Sequence, residues 1–227
     1  DSMRRDFISN LSHELRTPVS VIRANSETLI DSALEDKKQA KIFAKAILHN
    51  AERLTDMVSS LLDLSRIEYG ELKLNFEEID LNAFFENFIE SIINLSKKKD
   101  IDINYLPNHK GSVNADFQAI ERIMNNLIDN AIKYSEEGSE IKISTSNDGD
   151  DYIRVTVEDT GEGISPEDQD HIFSRFFRTA SARATDNQGS GLGLAIVKHL
   201  VNNLNGEVGI ESKPQKGSIF WFTIPIF

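Results

Sequence analysis

One histidine, His13, stands out among the residue types that can do chemistry. The chain has no cysteine, which excludes thiolate catalysis and cysteine-based zinc sites, and its other histidines lack metal-ligand spacing. If residues 2–30 form one helix, at about 100° per residue His13 lies roughly opposite the apolar face and is exposed to solvent. His13 is therefore the candidate nucleophile.

Three residues beside His13 affect what it can do. Glu14 follows it directly, and Thr17 lies one helical turn further along the same face. Pro18 has no N–H to donate to the Glu14 carbonyl, so we expect the helix to bend just beyond the histidine. The apolar face on the opposite side is formed by Ile8, Leu11, Leu15, Val19 and Ile22. This pattern indicates a reactive, locally deformable site.

A second group of polar residues follows Asp116, the predicted N-cap of another helix. One stripe of this helix consists of Asn126, Asn130, Lys133 and Tyr134, and a separate buried arc consists of Ile120, Met124, Leu127, Ile128 and Ala131. Amide oxygens can ligate Mg²⁺ beside phosphate oxygens, a lysine can meet phosphate charge, and a tyrosine ring offers a stacking face. A solvated helix face explains the same stripe equally well.

The motif Asp159-Thr-Gly-Glu-Gly-Ile164 follows a predicted strand. Gly161 and Gly163, spaced by one residue, let the backbone approach a planar ligand closely. A carboxylate at the strand end, that of Asp159, can accept a hydrogen bond from an exocyclic amine. An ordinary turn after the strand is the alternative explanation for the glycines.

A second glycine motif, Gln188-Gly-Ser-Gly-Leu-Gly-Leu194, leads into an amphipathic helix, so backbone N–H groups and a helix N-terminus could face an anion. Gly189, Gly191 and Gly193 match neither the dinucleotide pattern G-x-G-x-x-G nor the Walker pattern. Protein-kinase signatures of the H-R-D and D-F-G type are also missing. Those three kinds of nucleotide site are therefore excluded.

Between the two glycine motifs lie an aromatic segment, 173–178, and a polar stretch of small residues, 179–187. Such a stretch could be a mobile lid that is anchored by the aromatic residues at its start. It could equally be an unstructured surface loop, with the phenylalanines belonging to the core.

Two long helices must position His13. Residues 2–69 have helical periodicity, with a connection near 31–36. In the second helix Ile47, Leu54 and Leu61 are spaced by seven residues, as are Met57 and Leu64, which predicts an apolar seam along it. A two-helix hairpin covers only part of such an apolar stripe, so we expect a second copy to complete a four-helix bundle. An ordinary monomeric helical subdomain is the alternative.

The helical pattern stops at 69–71, which predicts a helical domain over 1–69, a linker over 70–75 and a second domain over 76–227. Leu72, Leu74 and Phe76 alternate like a short strand. Further elements are helices at 81–99, after Asp116 and at 192–203, strands at 101–105, 141–146 and 153–158, a capped helix start at 165–168, and a hairpin over 207–227. This order lacks regular βαβ alternation, so it predicts an α+β sandwich with helices layered on one sheet.

The bulk composition is that of a globular protein, with 227 residues, 39% hydrophobic and 27% charged. No apolar run approaches the roughly 18 residues that cross a bilayer. A net charge of -12 disfavours non-specific binding to nucleic acid or to anionic membranes. The chain begins almost at once with an amphipathic helix, which suggests a cut through a longer protein.

The order of the motifs resembles the H, N, G1, F and G2 boxes of the sensor histidine kinases. The corresponding segments are 13–18, 126–134, 159–163, 173–177 and 189–193. The resemblance extends over essentially all 227 residues and no conspicuous box is missing. It implies a dimerisation and phosphotransfer hairpin followed by an ATP-binding domain of the type shared with gyrase, Hsp90 and MutL.

By this resemblance the ligands are ATP and Mg²⁺. It implies that Asn130 ligates Mg²⁺, that Asn126 and Lys133 lie near the phosphates, and that Tyr134 lies against the base. Asp159 would receive the adenine amino group. The other residues implied in nucleotide binding are Gly161, Gly163, Ile164, Phe173, Gly189, Gly191, Leu192 and Gly193.

The resemblance also implies a reaction. His13 attacks the γ-phosphorus, Glu14 takes the proton from the other ring nitrogen, and Arg178 steadies the γ-phosphate. The phosphoryl group then passes to an aspartate of a response-regulator receiver domain. Thr17 matches the position that orients a water in the reverse, phosphatase reaction.

The family further implies a homodimer in the cytoplasm, with the parent protein attached to the cell membrane. We expect no nucleic-acid partner and no direct membrane contact in this part. The first alternative is a non-catalytic scaffold whose nucleotide domain only binds. The second is a conformational ATPase of the gyrase type, against which the exposed His13 argues, because such an ATPase needs no exposed histidine on a dimer helix.

Overall fold

In the computed structural model, residues 2–33, 36–97, 99–185 and 189–227 are described. The chain falls into two compact units, here called the helical unit and the sheet unit. The helical unit comprises Asp1–Ser65 and Arg175–Leu192, and the sheet unit comprises Arg66–Ser174 and Gly193–Phe227. Residues 34–35, within the connection predicted near 31–36, residues 186–187 of the polar stretch, and Gln188 lie outside the described residues.

The elements follow one another in mixed order. In the order of the chain the helices are α1 (Ser2–Thr28), α2 (Lys37–Glu68), α3 (Leu81–Lys97), α4 (Phe117–Tyr134), α5 (Pro166–Gln169), α6 (Ala180–Thr185) and α7 (Gly193–Asn203). The strands are β1 (Glu77–Ile79), β2 (Asp102–Asn108), β3 (Val113–Ala115), β4 (Glu140–Asp148), β5 (Tyr152–Asp159), β6 (Val208–Ser212) and β7 (Ser218–Pro225). A π-helix, Leu29–Ala33, continues α1.

The two long helices predicted over residues 2–69 are confirmed. α1 runs without interruption through Pro18, even though the proline removes one backbone donor from the helix. The Pro18 side chain is buried. Of the residues predicted for its apolar face, Leu11, Leu15 and Ile22 are half-buried, and the side chain of Ile8 lies outside the described part.

Val19, in contrast, is 51% exposed, so a single chain leaves this part of the predicted apolar face uncovered. Of the residues in the predicted seam of α2, Met57 and Leu64 are each 1% exposed, whereas Ile47, Leu54 and Leu61 are half-buried. The apolar stripes of both helices therefore remain partly uncovered within one chain.

The end of α2 lies where the loss of helical pattern predicts it. Gly70 adopts a left-handed conformation with φ of 68°, and its N–H donates to the Ile67 carbonyl. The Glu71 N–H donates to the Arg66 carbonyl, which satisfies a second carbonyl of the last turn. Glycine is favoured in such a helix end because it has no Cβ.

The strand predicted over 72–76 is wrong, because β1 begins only at Glu77. β1 pairs antiparallel with β3, whereas the backbone N–H of Asn75 donates to the Asp116 carboxylate at 2.7 Å. Alternating apolar residues favour an extended chain, but a strand also needs a partner, and the segment before Glu77 has none within the described residues.

The main sheet has five strands in the order β2-β4-β5-β7-β6. β2 pairs parallel with β4, and the other neighbours pair antiparallel. One face is apolar because side chains alternate along each strand. The central strands bury Ile141, Ile143, Ile153, Val155, Val157, Phe220, Phe222 and Ile224.

Helices α4 and α7 contact each other, and both contact strands of the main sheet. All five residues predicted for the buried arc of α4 are at most 3% exposed. α7 buries Ala195, Ile196, Val197, Leu200 and Val201. The predicted α+β sandwich is therefore confirmed.

Two predicted helix starts have the expected caps. The Asp116 carboxylate accepts the Ala119 N–H at 2.8 Å, and the Ser165 hydroxyl accepts the Asp168 N–H at 3.2 Å, with Pro166 at the first helical position. Each cap satisfies a donor that the first turn leaves unpaired.

Part of the polar stretch between the glycine motifs is helical. α6 begins after Thr179, whose hydroxyl accepts the Ala182 N–H at 3.1 Å, so a wholly unstructured loop is wrong for this segment. Among the described residues, no helix combines the length and the apolar character that crossing a membrane requires.

Candidate functional site

His13 lies on α1 with its side chain exposed to solvent, as the helical pattern predicts. Thr17 is also exposed, and its hydroxyl donates to the His13 carbonyl at 3.4 Å. This bond across one helical turn keeps the hydroxyl near the histidine. Both groups are accessible from solvent.

Glu14 is half-buried, and its carboxylate lies 3.8 Å from the Arg53 guanidinium of α2. The Arg53 side chain is only 12% exposed, which reduces the screening of the pair by water. Arg53 is therefore an ion-pair partner of the carboxylate that follows His13, at a distance beyond that of a hydrogen bond. The sequence did not indicate this arginine, because only the packing of α2 beside α1 brings the two charges together.

The carboxylate of Asp159 is the best-defined polar group of the sheet unit. The residue is 7% exposed, and Oδ1 accepts the N–H of Gly161 at 2.9 Å and the N–H of Ser218 at 3.3 Å. Oδ2 makes no hydrogen bond with any described residue. One oxygen is thus fixed by the backbone, and the other is available to accept a hydrogen bond from a ligand.

Burial raises the pKa of Asp159 above its ordinary value. The hydrogen bonds from Gly161 and Ser218 act in the opposite direction, because they stabilise the ionised form, and the nearby charge of Glu158 raises the pKa further. The site therefore holds a carboxylate whose ionised form is costly until a donor binds it.

The glycines after Asp159 are required by close backbone contacts. A Cβ on Gly161 would lie 2.4 Å from the Tyr134 carbonyl oxygen, and a Cβ on Gly163 would lie 2.1 Å from the Lys213 carbonyl oxygen. Gly163 also has a φ of 68°, which side chains other than glycine rarely adopt. The loop is held between the end of α4 and the turn that joins β6 and β7.

Ile164 ends this loop and is held at both backbone groups. Its N–H donates to the Ser212 hydroxyl at 2.8 Å, and its carbonyl accepts from the Gln169 amide at 2.9 Å. The same amide donates to the Ser212 carbonyl at 3.0 Å. Neither Ser212 nor Gln169 was predicted from the sequence, since neither belongs to a motif.

The polar stripe of α4 divides into paired and unpaired groups. The Asn126 amide donates to the Arg122 carbonyl at 2.8 Å, and the Lys133 ammonium lies 5.1 Å from the ring centroid of Tyr134. The half-buried Asn130 side chain has no hydrogen bond among the described residues. The amide nitrogen of Asn126 is thus already bonded, whereas both polar atoms of the Asn130 amide are available to a ligand.

Gly193, the first residue of α7, lies directly against this stripe. A Cβ there would lie 2.7 Å from the Asn126 side-chain oxygen. The glycine therefore allows the N-terminus of α7 to approach the amide of α4.

In the helical unit, the aromatic segment and the second glycine motif are joined by their backbones. The Phe176 N–H donates to the Gly191 carbonyl at 2.8 Å, and a Cβ on Gly191 would lie 2.8 Å from the Phe176 backbone. Gly191 has a φ of 68° and Phe176 a φ of 60°, so both adopt the left-handed region. These contacts bring together the two ends of the segment 176–191, which contains α6.

The other predicted residues of this region have local partners. Arg178 donates to the Ala182 carbonyl, and Leu192, which is fully buried, donates its N–H to the Ser190 hydroxyl at 3.3 Å. Gly189 is half-buried. In the sheet unit, Phe173 packs edge-to-face on Phe220 at 6.5 Å between ring centroids, which agrees with a core role.

The fold and these groups define an ATPase-like domain and a separate helical segment that presents a histidine. Residues 115–227 match the family model of the histidine kinase-, DNA gyrase B- and HSP90-like ATPases, and residues 3–70 match that of the His Kinase A (phospho-acceptor) domain. The chain belongs to the sensor histidine kinase family.

Individual relatives agree with the family models. The sensor-like histidine kinase SenX3 of Mycobacterium tuberculosis is 39% identical over 225 residues, which cover 99% of this chain and 54% of SenX3. The chain thus spans about half the length of the curated relatives it matches.

Two solved structures are similar over nearly the whole chain. Histidine kinase ThkA in complex with response regulator protein TrrA has a TM-score of 0.77 and 26% identity, and covers 100% of this chain and 63% of that one. Full-length ShkA in complex with AMPPNP has a TM-score of 0.71 and 25% identity, and covers 97% of this chain and 46% of that one. These matches concern whole domains, so the role of each residue stays a prediction.

Proposed function

We propose that this chain transfers the γ-phosphoryl group of ATP to His13 and then to an aspartate of a response regulator. The observation that carries the proposal is that one chain combines an exposed histidine on a phosphoacceptor helix with a buried carboxylate that has one unused oxygen. We keep the predicted division into a phosphotransfer domain (1–69), a linker (70–75) and a catalytic domain (76–227). Because ATP is available in the cytoplasm, we place this part of the protein there.

The adenine is proposed to donate its amino group to Oδ2 of Asp159. Tyr134 lies against the base in this proposal, and the apolar side chains of Ile164, Phe173 and Leu192 exclude water from it. The close contacts at Gly161 and Gly163 support it, because they hold the loop after Asp159 in one conformation. The similar kinase ShkA was solved with AMPPNP, an ATP analogue.

The phosphates are proposed to be held near Asn126 and Lys133, with Gly189, Gly191 and Gly193 allowing close approach of backbone N–H groups. The free amide of Asn130 fits a Mg²⁺ ion, which binds few protein ligands and keeps phosphate oxygens and waters. When bound, Mg²⁺ supplies neutralisation of the phosphate charge.

The chemical step needs positioning more than covalent help from the protein. A ring nitrogen of His13 forms the new N–P bond, the bond to the β,γ-bridging oxygen breaks, and ADP leaves. Glu14, ion-paired with Arg53, takes the proton from the other ring nitrogen. Arg178 steadies the charge on the transferred group. In the second step the N–P bond breaks and an aspartate oxygen of the regulator takes the phosphoryl group.

The response regulator enters the proposal through ThkA, which was solved in complex with response regulator protein TrrA. The exposed surface around His13 is the part of this chain that such a partner must reach.

Incubation with γ-labelled ATP and Mg²⁺ tests the proposal. A histidine kinase gives a protein-bound label that is stable in base and lost in acid, which is the behaviour of a phosphoramidate. Nucleotide binding without any label would contradict the proposal and favour the scaffold. Phosphate release without label would favour a conformational ATPase.

We propose that the helical unit is completed by a second copy of the chain. The support is the exposed apolar surface of α2, where Leu48 and Leu62 are 58% and 55% exposed beside the half-buried seam. Replacing both leucines with glutamate should raise the dimer dissociation constant at least about 1000-fold, because burial of each leucine contributes about 1.5–3 kcal/mol. Sedimentation equilibrium measures this dissociation constant.

The matched control replaces Lys41 and Lys45, two exposed residues of the same helix, with glutamate and should leave the dimer intact. A wild-type chain that stays monomeric at high concentration would contradict the proposal and support the monomeric subdomain.

We also propose that Thr17 orients a water for dephosphorylation of the regulator. Its exposed hydroxyl, one turn from His13, supports the proposal. Thr17→Ala should lower the dephosphorylation rate about 100-fold or more while autophosphorylation persists. The rate is measured with phosphorylated regulator and the unphosphorylated kinase.

The control for this change is Thr28→Ala, because Thr28 makes the same kind of bond to the Ala24 carbonyl about three turns away. If the Thr17 variant dephosphorylates the regulator at the wild-type rate, the assignment is wrong.

A further inference from the structure

Lys99 lies between α3 and β2 and is bound to the far end of another helix. Its ammonium donates to the carbonyl oxygens of Ile132, Lys133 and Ser135 at 2.8, 3.0 and 2.5 Å. The side chain is half-buried, and these three bonds use all of its N–H donors. Lys99 thus acts as a cap that the chain supplies from 33 to 36 residues away.

The physical role of this lysine follows from the way α4 ends. The last carbonyl groups of a helix have no partner within the helix, and the C-cap residue of α4, Ser135, is extended at φ -85° and ψ 152°. The helix therefore lacks the left-handed glycine cap that commonly satisfies these carbonyls. The positive charge of Lys99 also interacts favourably with the negative end of the helix dipole.

The turn held by Lys99 borders the nucleotide site of the proposed function. It carries Lys133 and Tyr134, whose side chains form a cation–π pair. The Tyr134 carbonyl is so close to Gly161 that no Cβ fits between them. The Gly161 N–H in turn donates to Oδ1 of Asp159. A shift of the last turn of α4 would therefore move the loop that fixes the adenine-binding carboxylate.

We propose that Lys99 is a positioning residue for the nucleotide: by capping α4 it fixes Tyr134 and, through Gly161, Asp159 in the geometry that binds adenine. The inference rests on the proposed function, since it assigns a role toward ATP. Lys99 itself touches neither the nucleotide nor the reacting atoms.

The test replaces Lys99 with Met, which keeps the apolar stem and removes all three donors. Binding of Mg·ADP, measured by calorimetry, should weaken about tenfold, which corresponds to about 1.4 kcal/mol. The KM for ATP should rise by a similar factor with little change in kcat. Lys97→Met, at an exposed lysine at the end of α3, is the matched control and should bind as the wild type does.

Two further measurements separate positioning from general stability. Transfer from already phosphorylated His13 to the regulator requires no ATP site, so its rate should stay unchanged in the Lys99 variant. Lys99→Gln, which keeps two donors without the charge, is the milder change for the case that the Met variant does not fold, and it should weaken binding about threefold.

A folded variant with a lower Tm but wild-type affinity for Mg·ADP would overturn the inference and leave Lys99 a purely structural cap. If the wild type itself binds no nucleotide, the proposed function fails instead, so the two failures are distinguishable.

Discussion

Replacing His13 with glutamine is expected to abolish the acid-labile label from γ-labelled ATP, by at least about a thousandfold. The amide nitrogen of glutamine is not nucleophilic, so no N–P bond can form, and removal of a nucleophile typically costs several orders of magnitude in rate. Because the His13 side chain is exposed, the substitution should leave the fold unchanged. The label is measured after separation of the protein from ATP.

The matched control is His49→Gln, a substitution of the same type at an exposed histidine of α2. It should keep the wild-type label, and both variants should bind Mg·ADP with wild-type affinity. A label that persists in the His13 variant would mean that another residue is the phosphoacceptor. A label lost from both variants would point to damage to the helical unit.

Replacing Asp159 with asparagine is expected to weaken nucleotide binding by about 10- to 150-fold. The adenine amino group would lose a hydrogen bond to a charged acceptor, which contributes about 1.5–3 kcal/mol, and an amide nitrogen at the position of Oδ2 would face the amino group as a second donor. The variant can still accept the N–H groups of Gly161 and Ser218 through its amide oxygen. Calorimetry with Mg·ADP measures the loss.

The same substitution should not destabilise the nucleotide-free protein at neutral pH. Burial raises the pKa of Asp159, so in the folded state the carboxyl holds its proton to a higher pH than in the unfolded state. Below the unfolded pKa both states are protonated and there is no cost. As the pH rises through the unfolded and then the folded pKa, the cost of the buried charge develops fully.

Asparagine carries no such charge, so the Tm of the variant should equal or exceed that of the wild type at pH 7. The difference between the two should shrink as the pH falls through the raised pKa of Asp159. Thermal denaturation of the nucleotide-free proteins at a series of pH values checks this. If the Tm of the variant is lower than that of the wild type at pH 7 and the two values converge in acid, the ionised Asp159 stabilises the fold, which contradicts this prediction.

Glu158→Gln provides the matched control for the binding measurement. Glu158 precedes Asp159 on β5 and, because side chains alternate along a strand, faces the other side of the sheet. Its substitution should leave Mg·ADP binding within about twofold of the wild type. If Asp159→Asn and Glu158→Gln weaken Mg·ADP binding equally, Asp159 does not bind the adenine as proposed and the loss is a general effect of charge.

Much of the fold could be predicted because its signals are local. The spacing of apolar residues gave α4 its buried arc, and single residues set its start at Asp116 and that of α5 at Ser165. The exposure of His13 followed from helical geometry alone. In each case the interacting groups lie within a few residues of one another, so their contact depends on one element only.

Predictions that depended on a partner succeeded less well. The alternating residues before Glu77 form no strand, since strand pairing requires a neighbour that the sequence pattern does not specify. Val19 has the spacing of a core residue, but it is 51% exposed because a single chain does not cover that face. Helical and extended periodicities identify an apolar face without identifying what covers it.

Residue types and their spacing identify the candidate groups for chemistry: the histidine on α1, the amide stripe of α4, and the aspartate and glycines at the end of β5. How these groups are held depends on contacts between segments that are distant in the chain. Ser218 fixes Oδ1 of Asp159 from 59 residues away, and Lys99 caps α4 from 33 to 36 residues away. No spacing rule predicts such bonds, because hydrogen bonds between distant segments form only once the fold has brought their backbones together.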